Sequence, residues 1–518
     1  MVTEPGDTAP ARKALGRKAA KRAERKAKLK GKLIPPEPYS SEHILFLDAK
    51  ELLGDEVVRA VEQSEEKCTV PFPIHTELEL TVSAISSIGE SLAVAPAPHP
   101  PWVIVTPFAL PGETIRARVY AHGYFYSRAD LLEVIKPNPE LRDDSRVKCK
   151  YFTKCAGCQY QMLSYETQLA FKRNVIVKAY KNLSGLPDSS VPEIQPTIGS
   201  PLQYGYRTKI TPHFESPMRM VQKHGVPTEG MPEWLKIGFN KIGSRHVMDI
   251  EECPIATPTL NEAYPKIRED ILKNIATYKN GVSLLLREGL EMPSEVSTSA
   301  QAPGEEKKIC VTDHRATVRE RVGDMLFEYT AGNFFQNNNS ILVPLTSYVR
   351  DAIFALAQPT HLVDAYCGSG LFSIMLSPHF EKVRGIELSA DGIRASQKNA
   401  ALNGVPESKI SFMEGDAAHI FDTVADFPRA QTALIIDPPR KGSDERFIDQ
   451  LVRFGCATVA YVSCNVHTQA RDVGMILRKS AAQMDGKKYV LESVRGFDLF
   501  PQTAHVESVA VLKLVDAQ

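Results

Sequence analysis

The sequence predicts an α/β protein with three folded parts: a small N-terminal β-barrel, a central α+β domain and a C-terminal doubly wound, Rossmann-like domain. Three observations carry this prediction. From Thr346 onward short apolar runs alternate with helical patterns, as strands and helices do when wound into one parallel sheet. Between Glu77 and Tyr120 short runs of alternating polarity are punctuated by Gly89, Pro107 and Gly112, the pattern of a barrel of about five strands. At 518 residues, 43% of them hydrophobic, the chain is long enough for more than one core.

Residues 1–70 read as a basic, unfolded tail followed by a short helix. Eleven Lys and Arg residues between Arg12 and Lys32 face one opposing acid, Glu24. Such a block attracts phosphates whatever their sequence. Its bias toward Lys, its lack of Ser and the preceding Glu4 and Asp7 favour a nuclear or cytosolic address, with mitochondrial import left open. Leu45, Leu47, Leu52, Leu53 and Val57 recur at helical spacing after it. No apolar stretch reaches the roughly eighteen residues that span a bilayer, so a soluble intracellular protein without a membrane partner is expected. Nine cysteines in so long a chain do not make a secreted disulfide framework; clustered ones point instead to metal or catalysis.

The barrel is placed at 71–136, with strands at 77–82, 92–94, 102–105 and 114–120. Arg116, Arg118, Tyr120, Tyr124, Tyr126 and Arg128 are the basic and aromatic side chains with which such a barrel can hold single-stranded RNA. The central domain, 137–330, mixes strands and helices, and its stretches 214–234 and 291–308 lack a period and read as exposed loops. In 331–518 the strands fall at 362–365, 382–387, 410–413, 433–437, 457–462 and 508–513. Asp364, Glu387, Asp416, Asp437 and Cys464 sit at or just past strand ends, where open α/β sheets bind ligands.

The segment Asp364-Ala365-Tyr366-Cys367-Gly368-Ser369-Gly370 follows the first of these strands. Gly368 and Gly370 permit a tight turn and a close approach of backbone to ligand, and Glu387 stands where an acid can accept from both hydroxyls of a ribose. Phe372 and Ser373 follow where a dinucleotide fingerprint needs a third Gly. The ligand is therefore a nucleoside that need not carry phosphate, and S-adenosylmethionine fits.

Cys464 lies just beyond an apolar run, between Ser463 and Asn465, and His505-Val506-Glu507 follows downstream. A thiolate adding to carbon 6 of a pyrimidine makes carbon 5 enolate-like, able to take a methyl group from a sulfonium; a base must then remove the carbon 5 proton. Cys464 is the expected nucleophile and Glu507 the expected base. A stacked base cannot offer both carbons, so extrusion from the RNA is expected. In Asp437-Pro438-Pro439-Arg440 an arginine stands where amino-group methyltransferases place a stacking aromatic, which argues against an amino target. Cys68, Cys310, Cys367 and Cys456 read as core, turn or incidental thiols.

Five segments together resemble the RNA uracil-5-methyltransferase family, whose members make 5-methyluridine in transfer and ribosomal RNA. They are Asn333-Phe334-Phe335-Gln336-Asn337-Asn338, the Gly-rich turn, Asp437-Pro438-Pro439-Arg440, Tyr461-Val462-Ser463-Cys464-Asn465 and Phe500-Pro501-Gln502-Thr503-Ala504-His505-Val506-Glu507. The resemblance implies a methyltransferase domain at 331–518. Gln336, Tyr366, Glu387 and Asp437 then join Gly368 in the S-adenosylmethionine pocket, Asp437 also lying near the target base, with Cys464 as nucleophile and Glu507 as proton acceptor. It favours the T-loop uridine of transfer RNA as target. Ribosomal RNA, carbon 5 of cytosine in RNA, and an RNA-binding chaperone without chemistry are the alternatives. No protein partner is implied, and a monomer is expected. Val466 and Ala504 depart from the family, in which proline usually follows Ser-Cys-Asn and often precedes the histidine. The barrel resembles a TRAM domain, an OB-like RNA-binding module, most clearly at Phe108-Ala109-Leu110-Pro111-Gly112-Glu113.

Cys149, Cys155, Cys158 and the distant Cys253 can hold an iron–sulfur cluster or zinc, and spacing alone leaves both open beside free thiols. Resemblance to bacterial ribosomal-RNA members implies a [4Fe-4S] cluster.

Overall fold

The computed structural model describes residues 33–63, 70–226, 230–292, 306–415, 421, 423–484 and 486–517. The basic tail, Cys68, most of the 291–308 stretch and Asp416 lie outside the described residues. The chain forms two compact units, Met1–Arg142 and Asp143–Gln518. No described helix is long and apolar enough to cross a membrane.

In the first unit five strands close into a barrel: β1 (Glu77–Ile85), β2 (Ser91–Val94), β3 (Val103–Thr106), β4 (Thr114–His122) and β5 (Tyr126–Lys136), in the order β1-β2-β3-β5-β4. Strict alternation explains the inside: Leu78, Leu80 and Val82 of β1 and Ile115, Ala117 and Val119 of β4 are buried while their neighbours are exposed. β5 is not among the strands that the residue pattern predicts, because bulges opposite β4 break its period. The helices Ser41–Leu53 and Asp55–Gln63 belong to this unit's packing rather than to a tail. Leu45 and Ala49 are fully buried with Leu92, Val103 and Val105, and the Asp48 carboxylate accepts from Ser87 N at 2.7 Å and Ser87 Oγ at 3.0 Å. Four of the expected RNA contacts are otherwise engaged: Tyr126 is in the core, Arg128 donates to Glu90 at 2.7 and 2.8 Å, Arg116 pairs with Glu133 at 3.0 Å, and the Tyr124 hydroxyl donates to Glu62 at 3.2 Å.

The second unit is built on an eight-stranded sheet. Its strands are β6 (Gln195–Ile198), β7 (His361–Ala365), β8 (Lys382–Glu387), β9 (Ile410–Glu414), β10 (Thr432–Ile436), β11 (Thr458–Ser463), β12 (Lys487–Phe497) and β13 (Glu507–Asp516), in the order β9-β8-β7-β10-β11-β13-β12-β6. β9 to β11 are parallel neighbours, and β13 runs antiparallel to both β11 and β12. Successive residues feed two cores. Val363, Ala365, Leu434, Ile436, Val459 and Tyr461 pack on one face; Leu362, Ala433, Ile435, Ala460 and Val462 pack on the other. Burial on both faces is why these strands read as unbroken apolar runs. β12 escaped the sequence pattern because a bulge between Leu491 and Ser493 interrupts its alternation. β6 comes from the central segment, so that segment shares its sheet with the C-terminal strands. The 214–234 stretch is not only loop: it follows the strand His213–Phe214 and contains the helix Met218–His224.

Candidate active site

The turn after β7 is strained in a way that a ligand site explains. Tyr366, Gly368 and Gly370 all have left-handed backbone, with φ of 65°, 55° and 88°. For tyrosine this costs roughly 1–2 kcal/mol. The turn is held by Cys367 N donating to the Ile386 carbonyl at 3.1 Å and Gly370 N donating to the Cys367 carbonyl at 2.8 Å. Asp364, grouped by sequence with the crevice acids, is instead part of this scaffold. It is buried, accepts from Ser373 N at 2.9 Å and Ser373 Oγ at 2.5 Å, and so fixes the start of the helix Leu371–Leu376. Burial pushes its carboxyl up to about 7 despite those bonds.

Glu387 ends β8 and ties two segments together: it accepts from Gly368 N at 3.1 Å and from Ser389 N at 2.9 Å. A carboxylate has about four acceptor sites, so hydroxyl groups of a ligand can still be received. Gly392 makes room for it, since a Cβ there would lie 2.9 Å from Glu387 Cγ. Leu388 beside it is 69% exposed. Gln336 is half-buried, and its segment hangs on a residue the sequence did not single out. The fully buried Arg287 guanidinium donates to the carbonyls of Ala331, Asn333 and Phe335 at 3.2, 2.8 and 3.2 Å and lies over the Tyr329 ring. No local pattern marks such an arginine, because its partners are more than forty residues away. Phe334 is left 75% exposed on the same segment.

Cys464 follows β11 and Glu507 opens β13. The antiparallel register pairs Ser463 with Ser508, so one further step places Cys464 opposite Glu507, side chains on the same face. Asp437 follows the neighbouring β10. Asn465 ties the two loops, donating from Nδ2 to the Arg440 carbonyl at 2.9 Å while Oδ1 accepts from His467 N at 3.2 Å and caps the helix Val466–Gln483. Val466 is the first residue of that helix, where proline is equally at home. The Arg440 guanidinium is near enough to favour the charged form of the Cys464 thiol.

The electrostatics follow from shared burial. Glu507, 4% exposed, is pushed up to about 8 by burial and then by Asp437, against Arg440. Asp437 is raised to about 7 by burial and Asp364. Burial, Glu507 and Asp437 push the half-exposed Cys464 thiol up to about 12, with Arg440 opposing. At neutral pH the thiol therefore keeps its proton until something beside it can take it.

Cys149, Cys155, Cys158 and Cys253 line one cavity of about 450 Å³, with Arg207, His213 and Thr503 on its wall. Burial raises all four thiols, Cys158 to about 12 and Cys253 to about 11, and the charges of the other cysteines add to it at Cys155, Cys158 and Cys253. Among the described residues no group of three or more His, Cys, Asp or Glu side chains is arranged to hold a metal ion. The cysteine loop is stitched to the loop before Glu507. Gln159 N and Tyr160 N donate to the Gln502 carbonyl at 2.8 and 3.1 Å, and Ala504 N donates to Gln159 Oε1 at 3.1 Å. A proline at 504 would lack that last donor. Cys367 and Cys456 are buried core thiols.

Comparison with known proteins places the chain among its relatives. Residues 293–515 match the family described as tRNA (uracil-5-)-methyltransferase. The chain is 44% identical over 503 residues to the tRNA (uracil(54)-C(5))-methyltransferase of Schizosaccharomyces pombe, covering 96% of this chain and 88% of that one. It is 38% identical over 509 residues to the Saccharomyces cerevisiae protein of the same name, covering 90% and 79%. Its fold is that of the Pyrococcus abyssi tRNA (uracil-54, C5)-methyltransferase solved with S-adenosyl-L-homocysteine, at a TM-score of 0.59 and 24% identity over 84% of this chain and 99% of that one. At 44% and 38% identity over most of their length to two proteins of that name, the chain belongs to the tRNA (uracil-5-)-methyltransferase family.

Proposed function

We propose that this protein methylates carbon 5 of the T-loop uridine of transfer RNA, uridine 54 in the names of its relatives, using S-adenosylmethionine. The observation that carries the reading is the register that sets Cys464 against Glu507 at the carboxyl end of the sheet. Gln336, Tyr366, Gly368, Glu387 and Asp437 form the cofactor pocket in this reading, and the bound cofactor supplies an electrophilic methyl group. Cys464 gives its proton to Asp437, which leaves Glu507 ionised, and adds to carbon 6 of the extruded uridine. Arg440 stabilises the thiolate as it forms. Carbon 5 takes the methyl group, Glu507 removes the carbon 5 proton, and carbon–sulfur cleavage frees Cys464. Nucleoside mapping of transfer and ribosomal RNA from cells lacking the protein tests the target: loss of 5-methyluridine from ribosomal RNA alone would overturn it.

Glu387→Ala is expected to weaken S-adenosylmethionine binding by about ten- to a hundredfold, the loss of two hydroxyl contacts to a charged acceptor. Equilibrium binding measures it, and unchanged affinity removes Glu387 from the pocket.

The barrel, read as a TRAM-type module, supplies RNA affinity through Arg118 and Tyr120, which keep exposed or half-exposed side chains. The four cavity cysteines are read as ligands of a [4Fe-4S] cluster. Four thiols around one roomy cavity suit a cubane, whose sulfur ligands stand further apart than those of a single zinc ion. Anaerobically purified protein is expected to carry iron and sulfide with the broad visible absorption of a cluster, lost on Cys158→Ser. Stoichiometric zinc, or neither metal, would refute it.

A further inference from the structure

We propose that His505 is the proton exit of the site, carrying the carbon 5 proton from Glu507 to solvent; this rests on the reading of Glu507 as the base. Replacing hydrogen by methyl at carbon 5 releases one proton per turnover, and Glu507 is too buried to hand it to water directly. The imidazole beside it spans inside and outside. Its side chain is one-third exposed, yet Nε2 is buried, lacks a hydrogen-bond partner and stands 3.9 Å from Glu507 Oε1. Hydrogen bonds of this kind are often long in a free enzyme and close in the substrate complex.

The ring is held for this task. Its edge packs on Phe500 at 4.8 Å between centroids, and His505 N donates to Thr503 Oγ1 at 3.2 Å. The groups facing it are Glu507, Arg440, His467 and Lys172, the last paired with Asp498. Burial first, and then those cations, hold the imidazole down at about 4. A neutral ring that does not retain a proton passes one on. The alternatives serve less well: Arg440 cannot accept, the sulfur freed in the same step takes back the proton it first gave to Asp437, and a second proton left on Asp437 stays beside the base.

The step balances. Glu507 takes the proton from carbon 5, the freed pair forms the carbon 5–carbon 6 double bond, and the carbon 6–sulfur pair returns to Cys464, which recovers from Asp437 the proton it gave up on addition. The Glu507 acid then gives its proton to Nε2 while Nδ1 releases its own to water. Exchange with solvent restores the first tautomer.

The test uses full-length protein and transfer RNA carrying tritium at uridine carbon 5 with methyl-labelled cofactor, in single turnover. For His505→Gln and His505→Ala, methyl incorporation is expected within about twofold of wild type while tritium release to water slows at least about tenfold, the methylated RNA being already free of Cys464. Imidazole in the buffer should restore release in His505→Ala. Tritium release at the wild-type rate, or equal slowing of both events without rescue, overturns the proposal. Glu507→Gln run in parallel keeps the readings apart, because tritium release that survives in that variant removes the base and not only the exit.

Discussion

Cys464→Ala is expected to abolish methylation of transfer RNA and, with it, covalent trapping by 5-fluorouridine RNA. Carbon 5 of uracil is too weakly nucleophilic to take a methyl group without sulfur at carbon 6, so the loss should reach about 10⁴-fold or more. The site offers no substitute: Cys367 and Cys456 are sealed in the core, and serine at 464 would present a hydroxyl far less acidic than the thiol. Since Cys464 is half-exposed past a strand end, folding and S-adenosylmethionine binding should survive the change. A Cys464→Ser protein that still formed the adduct would remove sulfur from the mechanism.

Glu507→Gln is expected to act later. Thiol addition and methyl transfer proceed, the carbon 5 proton stays, and methylated RNA remains bound to Cys464, with turnover reduced by about 10²- to 10⁴-fold. The pH dependence has a definite sign. As the proposed base Glu507 must be ionised, and burial holds it at about 8, with Asp437 at about 7. Wild-type turnover should therefore rise with pH through 7 to 8 and level off above, and the variant should lose that limb. Stability runs the other way. The folded carboxyl sits above its unfolded value of about 4.3, so stability is lost as pH rises from there through about 8. Glu507→Gln should melt higher than wild type at pH 8.5, with the gap closing toward pH 5; a constant gap would contradict the buried carboxyl.

The sheet was legible where both faces are buried, since 362–365, 433–437 and 457–462 are nearly pure apolar runs. β12 was not, because its bulge shifts the inward residues by one, and β6 was not, because four residues including Pro196 carry too little pattern. Within the site the sequence placed each acid at a strand end but could not tell which way it is used. Asp364 turns to Ser373 in its own chain segment while Glu387 faces the turn, and only the fold separates them. Arg287 escaped for a similar reason. A buried arginine looks like an ordinary polar residue until its distant partners are known. Cys253 was found by composition, but its meeting with Cys149, Cys155 and Cys158 around one cavity is a property of the fold.

The stitch between Gln159–Tyr160 and Gln502–Ala504 joins two neighbourhoods that are remote in sequence. Cys158 precedes one end of it by a single residue, and His505 follows the other end directly. The sulfur-rich loop is therefore the brace of the hairpin that carries Glu507, and lengthening either strip of backbone by one residue would put the whole joint out of step.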